Sequence, residues 1–421
     1  MSEHTKYSNC FKYQDSQLCV ENIPLENIAQ RFGTPCYVYS HQALSNAYRQ
    51  FEVALQSREH LICYAVKANS NLAILNLLAK LGAGFDIVSA GELQRVLAAG
   101  GAANKIVFSG VGKTADEMKL ALQADILCFN VESSAELERL NEVAKKMGKV
   151  APISLRVNPD VDAKTHPYIS TGLKQNKFGV AYTEALALYR KAQTSKNLRI
   201  VGMDCHIGSQ LTDLAPFIAA TEKMLALVDM LAQEDIRFEH LDLGGGLGIQ
   251  YQDEVPPSIV DYAQALIGAM HGRTEKIIVE PGRVLVGNAG VLLTKVEYLK
   301  HGEEKHFAIV DAAMNDLMRP ALYDAYHHIQ PVHKNTGNKQ TYEIVGPICE
   351  TGDFLGNARS LSITQGDLLA IMSAGAYGMS MSSNYNSRPR AAEVMVSGDV
   401  AQVIRERETV AQLFSGEKIF V

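Results

Sequence analysis

Residues 61–88 read LICYAVKANSNLAILNLLAKLGAGFDIV, and this stretch carries the pattern from which the fold can be inferred. Two short runs rich in apolar and β-branched residues, 61–66 and 84–88, flank an amphipathic stretch at 71–81. The short runs are almost continuously apolar rather than alternating, as expected for parallel strands that are covered on both faces. The stretch therefore predicts a strand–helix–strand unit.

The same rhythm repeats along the chain as far as residue 280. Long amphipathic stretches such as 133–147 and 214–234 separate the strand-like runs, and Thr114 and Ser133 are suited to cap helix N-termini. Eight strands that alternate with helices over roughly 250 residues predict an α/β fold, a (β/α)8 TIM-type barrel. The alternative is a doubly wound open sheet, but eight units in one series favour closure. The predicted strands are 61–66, 84–88, 105–109, 125–130, 152–158, 200–206, 239–243 and 276–280.

The pattern changes after about residue 290, where strand-like segments are separated by turns. Two strand-like pieces near the N-terminus, 17–21 and 36–39, fit the same domain. We therefore expect a barrel over residues 38–289 and a second, mainly β domain formed by residues 1–37 and 290–421. The C-terminal strand-like segments are VLLTKVEYL (291–299), HFAIVDA (306–312), QTYEIVGPI (340–348), DLLAIMSAG (367–375) and EVMVSGD (393–399).

Composition excludes several classes of protein. The 421 residues carry a formal net charge of −6, with 47% hydrophobic and 20% charged residues, which is typical of a globular protein. The lysines and arginines form no basic stripe, and no apolar run approaches the roughly 20 residues that span a bilayer, so we expect neither a nucleic-acid nor a membrane partner. Seven cysteines without a CxxC pair and a polar N-terminus predict a cytoplasmic protein without disulfides or a bound metal.

Residues suited to chemistry follow four of the predicted strands, at the end of a barrel where active sites form. They are Lys67, His206, the glycine-rich run 244–248 and Glu280. Each has an ordinary explanation when taken alone: an exposed lysine, a hydrogen-bonded histidine, a tight turn, or a salt bridge to Arg283. Together, an amine, a flat imidazole, a phosphate cradle and a carboxylate match what pyridoxal 5'-phosphate requires.

Eight short motifs resemble those of the alanine-racemase-like (fold type III) pyridoxal-phosphate decarboxylases and occur in the same order along the chain. They resemble most closely the motifs of the members that act on diaminopimelate. The resemblance extends from about residue 30 to the C-terminus. It implies decarboxylation of meso-2,6-diaminopimelate to L-lysine and CO2, the last step of lysine biosynthesis. It also implies a homodimer in which the β domain of one subunit completes the active site of its partner. The motifs are YAVKAN (64–69), FDIVSAGE (85–92), HIGSQ (206–210), LGGGLGI (243–249), EPGR (280–283), MRPALY (318–323), CETGD (349–353) and GAYG (375–378).

The resemblance implies roles around the cofactor. Lys67 is implied to hold the cofactor aldehyde covalently, and His206 to stack on the face of the ring. Glu280 is implied to keep the ring nitrogen protonated, so that the ring takes up the electrons released when CO2 leaves. Asp86 is implied to support the residues that contact the cofactor from behind. The other residues implied to bind the cofactor are Ser209, Gly245, Gly246, Pro281, Gly282, Arg283 and Tyr377.

The resemblance implies a second set of residues that bind the substrate. Arg283, Arg319 and Tyr323 match positions that bind the distal carboxylate, a task for which the planar fork of arginine is suited. Glu350 matches the residue that recognises the distal amino group, and Tyr377 is counted with this set as well as with the cofactor site. Cys349 matches the residue that protonates the substrate carbon after CO2 has left, and it is implied to come from the partner subunit.

Two alternatives stay open. One is a decarboxylase of the same fold that acts on ornithine, arginine or carboxynorspermidine. Arg319 and Glu350 argue against it, because a substrate without a distal carboxylate would leave buried guanidinium groups unpaired. The other is a non-catalytic homologue that binds a partner protein, which we would expect to have lost Lys67 or Cys349. The segment 384–390, including Arg390, is left without an assigned role.

Overall fold

The computed structural model describes residues 10–162 and 176–421, so the predictions for the N-terminal segment 1–9 lie outside the described residues. The chain divides into two compact units. The β unit contains the described parts of 1–46, together with 250–254 and 285–421, and the barrel unit contains 47–249 and 255–284. No helix in the described part of the chain is long and apolar enough to cross a membrane.

The first elements of the chain form a small antiparallel sheet and a strand of the β unit. The strands predicted at 17–21 and 36–39 are confirmed as β2 and β4. The elements are β1 (Phe11–Gln14), β2 (Gln17–Val20), β3 (Ile23–Pro24), α1 (Leu25–Phe32), β4 (Cys36–Ser40) and α2 (His41–Leu55). β2 pairs with both β1 and β3.

Eight parallel strands close into a barrel, which confirms the predicted (β/α)8 fold and excludes the open sheet. Closure is shown by the pairing of the last strand with the first, in which Ile277 lies opposite His60. The nine parallel strands of this sheet are β5 (His60–Ala65), β6 (Gly84–Ile87), β7 (Ile106–Phe108), β8 (Cys128–Val131), β9 (Ala151–Asn158), β10 (Val180–Ala181), β11 (Leu198–Asp204), β12 (His240–Asp242) and β13 (Lys276–Val279). β10 pairs with β9 and stands outside the ring.

Helices follow most of the barrel strands, and two begin at the predicted caps. The Thr114 side chain accepts a hydrogen bond from the backbone of Glu117 in a capping box, and Ser133 accepts one from the backbone of Glu136. These bonds satisfy amide groups that have no partner inside the helix. The helices are α3 (Leu72–Lys80), α4 (Ala90–Ala98), α5 (Ala115–Gln123), α6 (Ser134–Met147), α7 (Tyr182–Gln193), α8 (Ala215–Ala232), α9 (Ile259–Ala269) and the short α10 (Arg283–Val286).

The barrel strands change character along their length. Along the strands they contribute an apolar cluster of buried residues, Leu61, Cys63, Val107, Cys128, Val201 and Ile278. Nearer their C-terminal ends they carry buried carboxylates, Asp86, Asp204, Asp242 and Glu280. The apolar layer stabilises the barrel, whereas buried carboxylates are unfavourable unless they interact with other polar groups. The four buried carboxylates therefore point to function.

The rest of the β unit is a nine-stranded sheet that includes β4. Its strand order is β18-β17-β15-β14-β4-β20-β21, and β19 pairs with both β14 and β16. All five C-terminal segments predicted as strand-like contain a strand, whereas β16, β18 and β21 were not predicted. In β18, FLGNARSL, polar residues interrupt the apolar ones. The elements are β14 (Gly290–His301), β15 (His306–Val310), α11 (Arg319–Tyr323), β16 (Ile329–Pro331), β17 (Gln340–Val345), β18 (Phe354–Leu361), β19 (Leu368–Ile371), β20 (Ala392–Ser397), β21 (Val400–Arg405) and α12 (Val410–Leu413).

Candidate active site

Lys67 and Asp86 form an ion pair at the C-terminal ends of two adjacent strands. Lys67 lies in a single helical turn directly after β5, and Asp86 lies on β6, where it pairs with Ala65. The Lys67 Nζ lies 2.6 Å from Asp86 Oδ2, with 38% of the lysine side chain exposed and the aspartate side chain fully buried. The other carboxylate oxygen of Asp86 is buried and has no hydrogen-bond partner among the described residues. The aspartate therefore orients an amine that a ligand can reach.

Glu280 lies beside two other buried carboxylates. It follows β13 directly, and one oxygen of each of Glu280, Asp204 and Asp242 lies within 4.8 Å of the others. Burial raises the pKa of Glu280 well above its ordinary value, and the neighbouring carboxylates raise it further. A positively charged group placed next to Glu280 would offset this unfavourable charge. The protonated nitrogen of a pyridine ring is such a group.

Asp242 links this carboxylate cluster to the glycine-rich loop. Its Oδ1 accepts a hydrogen bond of 3.0 Å from the backbone N–H of Gly244. Burial raises the pKa of Asp242 to about 7. Asp204 lies on the other side of the cluster, with its carboxylate 4.0 Å from the Nε of Arg156. Neither aspartate was among the predicted site residues.

The glycine-rich loop approaches its neighbours too closely for side chains. A Cβ on Gly245 would lie 2.0 Å from the backbone oxygen of Glu280, and one on Gly246, at a φ of +114°, would lie 2.3 Å from the backbone oxygen of Gly208. Because these residues have no side chain, the backbone of the loop can pack closely at the ends of β12 and β13. A phosphate site is common at this place in barrels of this kind.

His206 is held by the same loop as a neutral, oriented ring. Its Nδ1 accepts a hydrogen bond of 3.2 Å from the backbone N–H of Gly245. Burial lowers the pKa of His206 well below its ordinary value, and Arg156 and Lys67 lower it further. Because Nδ1 is an acceptor and the ring is neutral, the proton resides on Nε2. The result is a flat uncharged ring at the end of β11.

The segment after Glu280 lies against the strand that carries Lys67. The backbone oxygen of Pro281 accepts a hydrogen bond of 3.1 Å from Ala65, and a Cβ on Gly282 would approach the Cβ of Ala65 to 3.1 Å. Arg283 is buried, and its Nη2 donates a 3.0 Å hydrogen bond to the Ser209 hydroxyl. The barrel unit thus brings together ten predicted residues: Lys67, Asp86, His206, Ser209, Gly245, Gly246, Glu280, Pro281, Gly282 and Arg283.

These ten residues fit pyridoxal phosphate. Lys67 supplies a reachable amine, Glu280 a buried carboxylate suited to a protonated ring nitrogen, and His206 a flat neutral ring. The loop at 244–246 supplies closely packed backbone groups for an anion. When bound, pyridoxal phosphate acts as an electron sink for the electron pair released in decarboxylation.

The remaining predicted residues lie in the β unit, in three places. Arg319 and Tyr323 lie one helical turn apart on α11, and Arg319 is buried. Cys349 and Glu350 lie on the exposed loop between β17 and β18. Tyr377 is partly buried and has a φ of +56°, a conformation that non-glycine residues rarely adopt. Such backbone strain occurs often at functional sites.

The loop that carries Cys349 is held in shape by Asp353. One carboxylate oxygen of Asp353 accepts a hydrogen bond of 2.8 Å from the backbone of Ile348, and the other accepts one of 2.7 Å from Met314. The CETGD motif therefore contains both the exposed thiol and the buried carboxylate that organises the loop around it.

The segment 384–390 supports the same loop. The Asn386 side chain accepts a 2.8 Å hydrogen bond from the backbone N–H of Cys349, and the Tyr385 hydroxyl donates one of 2.8 Å to the Glu350 carboxylate. Arg390 forms a salt bridge of 3.0 Å with Glu408 and so anchors the end of the segment. These contacts assign the segment a supporting role that the sequence did not reveal.

A second buried network, also missed, links strands β8 and β9 with the helices beside them. Arg156 contacts Glu132 at 3.2 Å, and the Nζ of Lys113 contacts Glu136 at 2.8 Å. All four side chains are at least nine-tenths buried. A signal was present, because Arg156 is the one charged residue in the strand-like run 152–158.

Comparisons with known proteins agree with this geometry. A family model described as "Pyridoxal-dependent decarboxylase, pyridoxal binding domain" matches residues 41–287. The diaminopimelate decarboxylase of Pseudomonas aeruginosa is 59% identical over 409 residues, covering 97% of this chain and 99% of the relative. That of Neisseria meningitidis serogroup A is 60% identical over 400 residues, covering 95% and 98%.

Solved structures give the same result. The diaminopimelate decarboxylase of Helicobacter pylori, complexed with L-lysine, has a TM-score of 0.91 and 45% identity, covering 93% of this chain and 99% of that one. The enzyme from M. jannaschii, also in complex with L-lysine, has a TM-score of 0.94 and 41% identity, covering 98% of each chain. The chain therefore belongs to the diaminopimelate decarboxylase family of pyridoxal-dependent decarboxylases.

Proposed function

We propose that this chain removes the carboxyl group at one end of meso-2,6-diaminopimelate, giving L-lysine and CO2 in the last step of lysine biosynthesis. One observation carries the proposal: relatives named diaminopimelate decarboxylase match nearly the whole chain at 56–60% identity. Two related structures were solved with L-lysine, the expected product, bound. The buried carboxylate and the reachable amine of the barrel unit agree with this reaction.

The barrel residues bind and orient the cofactor in this proposal. Asp86 orients the Lys67 amine and balances its charge, so that the nitrogen faces the cofactor aldehyde. Glu280 holds a proton at the ring nitrogen, and this electrostatic support is strongest where water is excluded. His206 covers one face of the ring without adding charge, because its imidazole is neutral.

Residues of the β unit select the substrate. In this proposal Arg319, Tyr323 and Arg283 bind the distal carboxylate, and Glu350 binds the distal amino group. Ornithine and lysine have no distal carboxylate and would leave buried guanidinium donors without a partner, which costs about 1–3 kcal/mol for each group. Cys349 then delivers a proton to the carbon that has lost CO2, since a thiol can donate a proton and this one is exposed.

A substrate panel tests this function. The purified protein, reconstituted with pyridoxal phosphate, is given meso-diaminopimelate, ornithine, arginine or lysine, and CO2 and the product amine are quantified. We expect lysine from diaminopimelate and a loss of at least about 100-fold in kcat/KM for the other three substrates. Efficient turnover of ornithine or arginine would contradict the substrate assignment. Cofactor binding without any turnover would favour the non-catalytic homologue.

We also propose that the protein is a cytoplasmic homodimer with shared sites. In this arrangement residues 38–289 bind the cofactor, and the β domain of residues 1–37 and 290–421 completes the site of the partner subunit. The loop with Cys349 and Glu350 supports this, because it is exposed and carries two residues to which the proposed reaction assigns a role. An isologous dimer would give two equivalent sites.

Mixing two inactive variants tests the shared site. We expect Lys67→Ala and Cys349→Ala homodimers to be nearly inactive and an equilibrated mixture to regain about a quarter of the wild-type activity, because half the dimers then contain one intact site. The activity of the mixture is measured after subunit exchange. A mixture of Lys67→Ala with Lys67→Ala,Cys349→Ala is the control and should stay inactive. No recovery in the first mixture would show that each site lies within one subunit.

A further inference from the structure

Arg319 lies in a buried cage made by two aromatic rings of the β unit. Its Nη1 lies 2.8 Å from the Nε2 of His327, and its guanidinium carbon lies 4.6 Å from the centre of the Tyr251 ring. The two rings contact each other edge to face, with centres 5.2 Å apart and an interplanar angle of 75°. His327 is fully buried, and Arg319 is 6% exposed.

The hydrogen bonds of His327 define its protonation state. Its Nδ1 lies 2.8 Å from the backbone oxygen of Met372, which follows β19. A carbonyl oxygen can only accept a hydrogen bond, so Nδ1 must carry a proton. A guanidinium can only donate, so Nε2 must present its lone pair to Arg319. His327 is therefore a neutral imidazole whose acceptor is directed at the arginine.

A neutral acceptor has a specific consequence for a guanidinium. A carboxylate in this place would orient Arg319 but would also cancel much of its charge. A neutral imidazole orients the same group by accepting one hydrogen bond from an arginine N–H, and it leaves the positive charge of the guanidinium in place. The Tyr251 ring adds a cation–π contact at 4.6 Å, which helps to hold the guanidinium in place without neutralising it.

We propose that His327 is the positioning residue that holds Arg319 ready for the distal carboxylate of the substrate. This inference rests on the proposed function, in which Arg319 binds that carboxylate. A long arginine side chain loses conformational freedom when it binds a ligand, and a side chain that is already held in place loses less. His327 and Tyr251 thus contribute to the preference for substrates with a carboxylate at both ends.

Two substitutions of His327 in the reconstituted enzyme test the proposal. His327→Phe keeps an aromatic ring beside Tyr251 but removes the acceptor, whereas His327→Gln keeps both an acceptor and a donor. We expect His327→Phe to raise KM for meso-diaminopimelate about 10-fold or more, as for the loss of a hydrogen bond to a charged group, with kcat changed by less than about threefold. His327→Gln should restore most of the loss.

Ligand binding gives a readout that does not depend on turnover. Calorimetry is performed with pimelate, an unreactive dicarboxylate, and with L-lysine, which has no distal carboxylate. We expect His327→Phe to weaken pimelate binding by about the same factor as KM and to leave lysine binding unchanged. His333→Phe, at a partly exposed histidine paired with Glu26, is the matched control and should leave both ligands unaffected.

The outcomes separate this inference from the proposed function. Arg319→Ala is measured in parallel, and if it leaves KM for diaminopimelate unchanged, the proposed role of Arg319 fails. If Arg319→Ala raises KM and His327→Phe does not, the positioning role is overturned. An equal loss of pimelate and lysine binding would also overturn it, since a merely structural role predicts that result. Should His327→Phe not fold, Tyr251→Leu provides the same comparison and the same expected difference between the two ligands.

Discussion

Replacing Lys67 by alanine is expected to lower kcat for diaminopimelate by about three orders of magnitude or more. The substitution removes the amine that we propose holds the cofactor aldehyde, which would leave the cofactor bound by non-covalent contacts only. It also leaves the buried Asp86 carboxylate without the ammonium group that lies 2.6 Å away. An uncompensated buried charge is unfavourable, so binding of the cofactor and folding stability should both decrease. The measurements are kcat, the absorbance of the protein-bound cofactor and the melting temperature.

Lys80→Ala is the matched control, because Lys80 is an exposed residue at the end of α3 in the same unit. It should retain wild-type kcat and cofactor absorbance. If Lys67→Ala retained more than about a tenth of the wild-type kcat, the assignment of Lys67 as the cofactor-binding amine would be wrong.

Replacing Glu280 by glutamine should lower kcat by about 100- to 1,000-fold, the range found when a group that stabilises developing charge is removed. Glutamine has nearly the same shape but carries no charge, so it cannot hold a proton on the ring nitrogen. We expect KM to change less than kcat, because the loss concerns the chemical step. Steady-state kinetics with meso-diaminopimelate measure both. An unchanged kcat would show that Glu280 does not support the cofactor electronically.

The same variant should alter the pH dependence of stability in the cofactor-free protein. The pKa of Glu280 is raised well above its ordinary value by burial, so the folded state binds this proton more tightly than the unfolded state. Its contribution is therefore complete below the ordinary pKa and is lost as the pH rises towards the raised pKa. Wild-type stability should therefore decrease as the pH rises above the ordinary pKa of a glutamate, and Glu280→Gln should flatten the decrease.

Asp204 and Asp242 also have raised pKa values, so part of the slope should remain in Glu280→Gln. Glu142→Gln, at an exposed position on α6, should follow the wild-type curve and provides the control. Thermal unfolding of the cofactor-free proteins measures the slopes. Parallel curves for the wild type and Glu280→Gln would mean that the pKa of Glu280 is not raised in the folded protein.

The barrel was predictable because its strands are covered on both faces and therefore form nearly continuous apolar runs. All eight predicted strands overlap observed strands, with ends that differ by up to three residues. The β unit was less predictable, since a strand with one exposed face needs few apolar residues. This is why β18, with the sequence FLGNARSL, was missed, and β16 and β21 were not predicted either.

The sequence indicated site candidates where residues of unusual type follow a strand. Lys67, His206 and Glu280 stand at the ends of apolar runs, and their occurrence together at the same end of the barrel indicates function. Asp204 and Asp242 lie inside such runs and were overlooked, although an ionisable residue in a buried strand is itself a signal. Their importance becomes visible only with the distances among the three carboxylates.

The sequence by itself determined the strand–helix rhythm, the barrel and the set of motifs, since these depend on local periodicity and on residue type. Only the tertiary structure decided how the charged groups interact. His327 and Arg319 lie eight positions apart, and Tyr251 comes from a distant part of the chain, yet the three side chains form one buried cage. The protonation states of His206, His327 and Glu280 depend on burial and on hydrogen-bond partners brought together by folding. Contacts of this kind join residues from different elements of the chain. The periodicity within a single strand or helix carries no information about them.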